Sequence, residues 1–262
     1  HQGGSIIPMV ISQFVGVAPE KIIFHPHLVG GGFGKKFQSG VIILASLAAL
    51  RTKQPVKLIF SREDDMAFAH PRTSTYQRMS ASIDNNRKIK GLKHEIAAGW
   101  LKPPYAYIKP IANGRAKDTD ERVDLFSHTV SDHWYDIENS NVVGYHHKRI
   151  EDVVPVGAVR SVSNNYTVFS LESFIDEIAH KLKRDPLDLR LSMLQGKGIN
   201  AGGNDKDLHP VGVKPFHKIS PFQESASING GKRLANVLRI ATGLANYGAR
   251  VLSENTAHGI AI

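Results

Sequence analysis

The sequence predicts a mixed α/β (α+β) fold with helices flanking a mixed sheet, and three observations carry that reading. Residues 1–61 alternate helical and extended patterns, the order expected where helices cover a sheet. Residues 75–100 alternate polar and apolar side chains on either side of a turn-forming centre, as a half-buried hairpin does. Residues 165–195 and 230–248 repeat apolar side chains at helical spacing. With 262 residues, 41% hydrophobic and 22% charged, the chain has a globular composition and the length of one large domain or two modest ones.

Taken in order, "SIIPMVISQFVG" places Ile6, Ile7, Val10, Ile11, Phe14 and Val15 near a helical period. Pro8 suits its first turn and Gly16 its end. "KIIFHPHLV" reads as a strand edged at Pro26. After a glycine loop, a helix is expected from about Ser39 to Arg51, and its run "VIILASLAAL" suits burial. "PVKLIFSRED" reads as a buried strand from Val56 to Ser61, with the carboxylates of "SREDDM" as helix-start or ion-pair groups. "TYQRMSASI", the turn "DNNRK" and "IKGLKHEIAAGW" form the hairpin.

Residues 101–150 read as long loops with one or two short strands such as "NVVGYHH". In "NYTVFSLESFIDEIAHKLKR" the residues Leu171, Phe174, Ile175, Ile178 and Leu182 fall on one helical face, and Lys181, Lys183 and Arg184 suit its C-terminal end. "DPLDLRLSML" starts a second helix with Asp185 as cap and Pro186 first inside it. Residues 196–231 read as a loop, "GKRLANVLRIATGLANYG" as a last amphipathic helix, and "AHGIAI" has strand character. No run approaches the roughly 20 apolar residues of a membrane helix.

The chain contains no cysteine, which excludes disulfides, cysteine-ligated zinc and iron–sulfur clusters within it. A net charge of +9 and a pI of about 9.6 permit an acidic partner. The basic residues are spread along the chain with no nucleic-acid-binding signature, so no nucleic-acid partner is expected. His25 with His27 and His146 with His147 could each put imidazoles side by side, but no third ligand has motif-like spacing and no metal site is expected. His1 is not an initiator and the end is abrupt, so a segment of a longer protein is expected.

The densest chemical signal is "HLVGGGFGKKFQSG", His27 to Gly40. A Walker loop requires glycine at position 29 and Ser or Thr at position 36, where Val29 and Lys36 stand. A dinucleotide fingerprint counted from Gly30 requires glycine at position 35, which is Lys35. Two readings remain open on spacing: a backbone cradle for an anionic group, or a tight strand-to-helix turn.

"VGGGFGKKF", the alanine-rich helix after it and "QPVKLIFSREDDM" resemble the large subunit of the molybdenum hydroxylases, the xanthine dehydrogenase and aldehyde oxidase family. The resemblance is closest to the bacterial branch of isoquinoline 1-oxidoreductase-like and membrane-associated aldehyde dehydrogenases. "VPVGAVRSVSNNYTVFSLESFIDEIAHKLKRDPLDLRLSML" and "GKRLANVLRIATGLANYG…HGIAI" agree with that branch in order and spacing. The resemblance implies an incomplete molybdopterin-binding domain. Residues 1–195 would be the central part of the first such domain. Residues 196–262 would be a loop and helix leading toward a further C-terminal region.

The resemblance also implies roles. Gly31, Gly32, Phe33 and Gly34 would lie against the molybdenum–pterin cofactor, their small size letting backbone donors approach an anionic group. Gln2, in "HQGG", would hydrogen-bond the metal's oxo group. Arg160, in "AVRSVS", would contact substrate, its permanent charge suiting a carbonyl or an anion; a structural ion pair is its alternative. Glu172 and Glu177 read as helical and structural.

A glutamate following a glycine acts as general base in that family, and no Gly-Glu dipeptide occurs here. The isolated chain is therefore expected to be inactive. Implied with the family are the cytosine dinucleotide form of the cofactor, the remaining large-subunit polypeptide, a 2Fe-2S small subunit, a cytochrome c electron acceptor and a small-molecule substrate, an aldehyde or N-heterocycle. The branch suggests the periplasm, with the cytoplasm as alternative. The competing reading is a stand-alone α/β binding or assembly module without catalysis.

Overall fold

In a computed structural model, residues 1–100, 133–195, 230–249 and 251–262 are described. They divide into two units. The first comprises residues 1–76, 96–129 and 144–165, and the second residues 77–95, 130–143 and 166–262.

In the first unit α1 (Ile7–Val15) begins with its proline in the first turn and ends at Gly16, φ 69°, whose N–H returns to Ser12 O at 3.0 Å. That left-handed stop is the conformation glycine adopts without strain. Helix α1 buries Ile7, Val10 and Ile11 and packs on α2 (Gly40–Thr52). Helix α3 (Arg62–Ala67) starts with a capping box: Ser61 Oγ accepts from Asp64 N at 3.1 Å, and Asp64 returns the bond to Ser61 N at 3.3 Å. The "SREDDM" carboxylates are thus the helix-start groups their position predicts. Helix α4 (Lys148–Val153) also belongs to this unit.

Three expectations fail here. "KIIFHPHLV" and "PVKLIFSRED" form no strand, and residues 53–57 and 61–64 are exposed. Burial alternates in part along both, Ile22, Phe24, Leu58 and Phe60 being half-buried and Ile23 and Ile59 about three-quarters exposed. An apolar alternation fixes an extended conformation, but a ladder requires a neighbouring strand, and none is present among the described residues. Helix α2, expected to be buried, contains no buried residue.

The sheet contains β1 (Thr75–Ile83), β2 (Ile89–Ala98) and β3 (Asn139–His146) in the order β1-β2-β3. The Asp84 carboxylate closes the hairpin by accepting from Asn86 N and Lys88 N, each at 2.9 Å, with Arg87 at φ 62°. Strand β3, the expected "NVVGYHH" strand, runs parallel to β2: Asn139 Nδ2 meets Lys90 O at 3.1 Å and His147 N meets Ala98 O at 2.8 Å. The sheet is therefore mixed, one antiparallel and one parallel pair.

The second unit has the larger core. Helix α5 (Asn164–Lys181) supplies Leu171, Ile175, Ile178 and Ala179, and β2 supplies Ile89 and Leu92. Helix α6 (Pro186–Ser192) supplies Leu189, and α7 (Gly230–Leu244) Ala235 and Leu238. Asp185 caps α6 through Leu187 N and Asp188 N. "AHGIAI" forms no strand; Ile260 and Ile262 pack against this core instead. The expected loop at 196–231 lies outside the described residues except for its last two, which open α7.

An ionic cluster is buried beside this core. Arg190, fully buried, donates from Nε to Glu172 Oε2 at 2.9 Å and from Nη1 to Asp176 Oδ1 at 2.6 Å. Tyr135 OH donates to Glu172 Oε1 at 2.9 Å. Burial pushes the Glu172 carboxyl up, opposed by Arg190 and Tyr135, and pushes the Tyr135 phenol up as well, with the Glu172 charge adding to it. Glu172 thus has the structural role expected of it, with a partner, Arg190, that the sequence does not announce.

Candidate functional site

The glycine loop lies in the first unit, and its geometry explains its composition. Gly31 has φ 100°, Phe33 φ 50° and Gly34 φ 87°, so three of four consecutive residues occupy the left-handed region where side chains are strained. At Gly34 a Cβ would stand 1.9 Å from Ala158 O, a backbone atom that cannot swing away. Such a Cβ at Gly32 would stand 2.4 Å from Gln2 Oε1. Glycine is required at 34 by conformation and contact together; at 32 a side chain would displace the Gln2 amide that lies over it.

Gln2 is fixed at two points. Its N–H donates to Lys36 O at 2.9 Å, and its Oε1 accepts from Gly34 N at 3.0 Å. The amide oxygen is thereby committed, leaving the Nε2 end as a donor. Arg160 Cζ lies 5.6 Å from the centroid of the Phe33 ring, cation–π distance. Among the described residues no carboxylate pairs with Arg160, so its alternative as an ion pair finds no partner there. Phe33 is 63% exposed; the ring stands at the surface under the guanidinium. Gln2, Gly31, Gly32, Phe33, Gly34 and Arg160, spread over 160 residues of sequence, are therefore brought together in one unit.

Neighbouring residues complete the surroundings. Lys35 Nζ pairs with Asp65 Oδ1 at 3.2 Å, tying the loop's exit to α3. His70 is half-buried; burial, and then the Lys35 charge, hold its imidazole below the usual histidine range. Gly157 is buried, with His70 O 2.2 Å and Gln38 Nε2 2.8 Å from where its Cβ would be. Gln38 Nε2 is itself buried with no hydrogen-bond partner among the described residues, a costly state for an amide donor. Gln38 was missed on sequence although it stands four residues past the loop. Arg72, also missed, donates from Nη2 to Arg160 O at 2.7 Å and from Nη1 to Val162 O. Its acceptors are backbone atoms, so no side-chain motif could signal it.

The histidine pairs gather no metal-ligand cluster among the described residues; His146 stacks on Trp100 with ring centroids 4.2 Å apart.

Comparison with known proteins follows the same segment. A family model described as the molybdopterin cofactor-binding domain matches residues 1–194. A membrane-bound aldehyde dehydrogenase of Gluconacetobacter polyoxogenes, whose name carries pyrroloquinoline quinone, is 32% identical over 263 residues, covering 100% of this chain and 31% of its own length. The beta subunit of isoquinoline 1-oxidoreductase from Brevundimonas diminuta is 29% identical over 188 residues, 69% of this chain and 22% of its own. The aldehyde oxidoreductase structure from Desulfovibrio gigas superposes with a TM-score of 0.53 at 21% identity over 71% of this chain and 19% of its own, a likeness of fold. The chain thus spans about a third or less of the length of these relatives.

Proposed function

The chain belongs to the molybdopterin cofactor-binding domain family, as found among relatives of the xanthine dehydrogenase and aldehyde oxidase group, and from that premise we propose that it is the cofactor-holding segment of a molybdenum hydroxylase large subunit. The observation that carries this is the convergence of Gln2 and Arg160 on a loop whose backbone excludes any Cβ at Gly34. The residues fit an anionic metal–pterin group. Gly31 and Phe33 have positive φ on either side of Gly32, and the glycines have no side chain of their own to keep an anionic group from the backbone N–H groups. Gln38 Nε2, buried and without a partner among the described residues, is a further donor such a group would satisfy.

When bound, the molybdenum–pterin group supplies a redox centre that takes electrons from a substrate carbon, with water as the oxygen source. Gly31, Gly32 and Phe33 would hold it through backbone N–H groups, and the Nε2 end of Gln2 would donate to it. Gly34 N is already engaged by Gln2 Oε1, so Gly34 contributes shape and the pinning of Gln2. Arg160 would polarise a substrate carbonyl or hold an anionic substrate, and Phe33 would exclude water beneath it. The general base, a glutamate after a glycine, would come from outside these residues, and the isolated chain would bind without turning over.

Aldehydes or N-heterocycles are the proposed small-molecule substrates, in keeping with the names of the relatives. The remaining large-subunit polypeptide, a 2Fe-2S small subunit, a cytochrome c acceptor, the cytosine dinucleotide form of the cofactor and a periplasmic location belong to the same proposal. The membrane-bound relative supports the location, and no helix among the described residues is long and apolar enough to cross a membrane. The division at 195/196 is retained, supported by a family match ending at residue 194. A non-catalytic module is not favoured, since one relative aligns over the whole chain.

Metal analysis and pterin fluorescence on the purified assembled enzyme test this reading. A stoichiometric content of molybdenum and pterin is expected. Pyrroloquinoline quinone in their place, or none of the three groups in folded protein, would overturn it.

A further inference from the structure

We propose that Arg72 is the positioning residue for Arg160, its guanidinium holding the bend that aims Arg160 across Phe33. The inference rests on the reading of Arg160 as a substrate contact. The bend itself calls for a restraint. Ser161 has φ 70° and Val162 φ 47°, two consecutive left-handed residues, the second β-branched, for which that region is a true outlier. Within it Val162 N donates to Val159 O at 2.7 Å and Asn164 N to Ser161 O at 2.9 Å. The carbonyls of Arg160 and Val162 accept from Arg72, one from each terminal nitrogen.

A planar fork with fixed donor directions can meet two carbonyls of one bend at once; an ammonium is a single point. Arg72 is also anchored on the correct side. Its neighbour Pro71 accepts from Gly157 N at 2.9 Å, and Thr73 Oγ1 accepts from Gly99 N at 2.8 Å. The segment 70–73 is thus laced to residues 157–162, and Ala158, inside that stretch, is what Gly34 presses against. Arg160 therefore projects toward Phe33 from a bend clamped on one side by Arg72 and seated on the glycine loop on the other.

The test is a double-mutant cycle in the assembled holoenzyme with R72Q, R72K, R160Q and R72Q/R160Q. Activity is read with benzaldehyde and isoquinoline as probe substrates and ferricyanide as acceptor, and molybdenum content and amide hydrogen exchange are read on the same samples. R72Q and R160Q should each lower kcat/KM roughly tenfold at unchanged molybdenum content, with R72K between R72Q and wild type. The double variant should be no worse than R160Q alone, because a positioning residue has nothing left to position. R72Q should also speed exchange at Val162 and Asn164 while leaving the amides of α5 beyond its first turn unchanged.

Additive losses would mean that Arg72 acts on stability alone and would overturn the proposal. So would unchanged exchange at the bend. If R160Q keeps wild-type kinetics, or the wild type turns over neither probe, the substrate role of Arg160 fails and positioning with it. Faster exchange in R72Q then retains only the clamp on the bend as a structural feature.

Discussion

The two units use similar lengths of chain very differently. Among the described residues the second buries thirteen apolar side chains in one contiguous cluster. Among the described residues the first buries six and leaves seventeen large apolar side chains exposed, against seven in the second. Its order comes instead from polar pins and close backbone contacts: Gln2 on Gly34, Arg72 on the 160–162 bend, Gly157 under His70. Both units have left-handed residues, but the first places an aromatic and a β-branched side chain there, Phe33 and Val162, where the second has Arg87, Lys183, Asn246 and Asn255. Departures of that kind concentrate where a protein holds something other than itself.

If this contrast is correct, the second unit should fail through its interior and the first through its backbone. The largest effect should follow R190A, which strands the buried Glu172 carboxylate beside Tyr135. Breaking a buried pair on one side costs about 3–5 kcal/mol, and urea denaturation should register it; a loss below about 1 kcal/mol would show that the cluster does not hold the unit.

Next comes acid. Burial pushes the His133 imidazole down to about 4. The unfolded chain takes up that proton first as pH falls, so stability is full above about 6.5 and declines toward pH 4. The loss over that window is up to about 3 kcal/mol. Denaturation midpoints across pH should show this slope, and H133N should flatten it.

In the first unit G34A should cost at least about 1–2 kcal/mol from the left-handed conformation alone, and more from the contact with Ala158 O. Hydrogen exchange should loosen at 31–37 and 157–162 and leave the α5–α6 amides as they were. The smallest effect belongs to G16A, about 1 kcal/mol. Gly16 also has a positive φ, 69°, but among the described residues nothing lies within 4 Å of where its Cβ would be. The difference between the two variants, measured by thermal unfolding, reports mainly the close approach to Ala158 O.

Helices were legible in the sequence because their signals are local. Pro8 and Gly16 bracket α1, Asp185 and Pro186 open α6, and the Asp84 turn closes the hairpin. Residues 22–29 and 56–61 were misread because alternation reports the conformation of a single strand, whereas a ladder belongs to two. For the same reason α2 looks like a buried helix and is not one among the described residues: its apolar character says what it would pack against, not that the packing partner is there. At the site, the loop and Gln2 were legible through motif resemblance. Arg72 was not, since it recognises carbonyls that every residue carries. Arg190 was not, since its pairing with Glu172 depends on how α5 and α6 cross.

The parallel pairing of β3 with β2 has a consequence in time. Strands β1 and β2 are joined by a five-residue turn, Asp84–Lys88, and such hairpins close in microseconds. Strand β3 starts only at Asn139, roughly forty residues after Ala98, and synthesis at about 5–20 residues per second takes on the order of seconds to reach it. During that interval one edge of β2 waits with its backbone groups unclaimed, a template for any passing strand. Lys88 just before the strand and Lys90 on it put positive charge at the start of the waiting edge, while Lys93 pairs with Glu95 of the same strand at 3.0 Å. Copies of a newborn chain therefore repel one another there until the correct partner emerges.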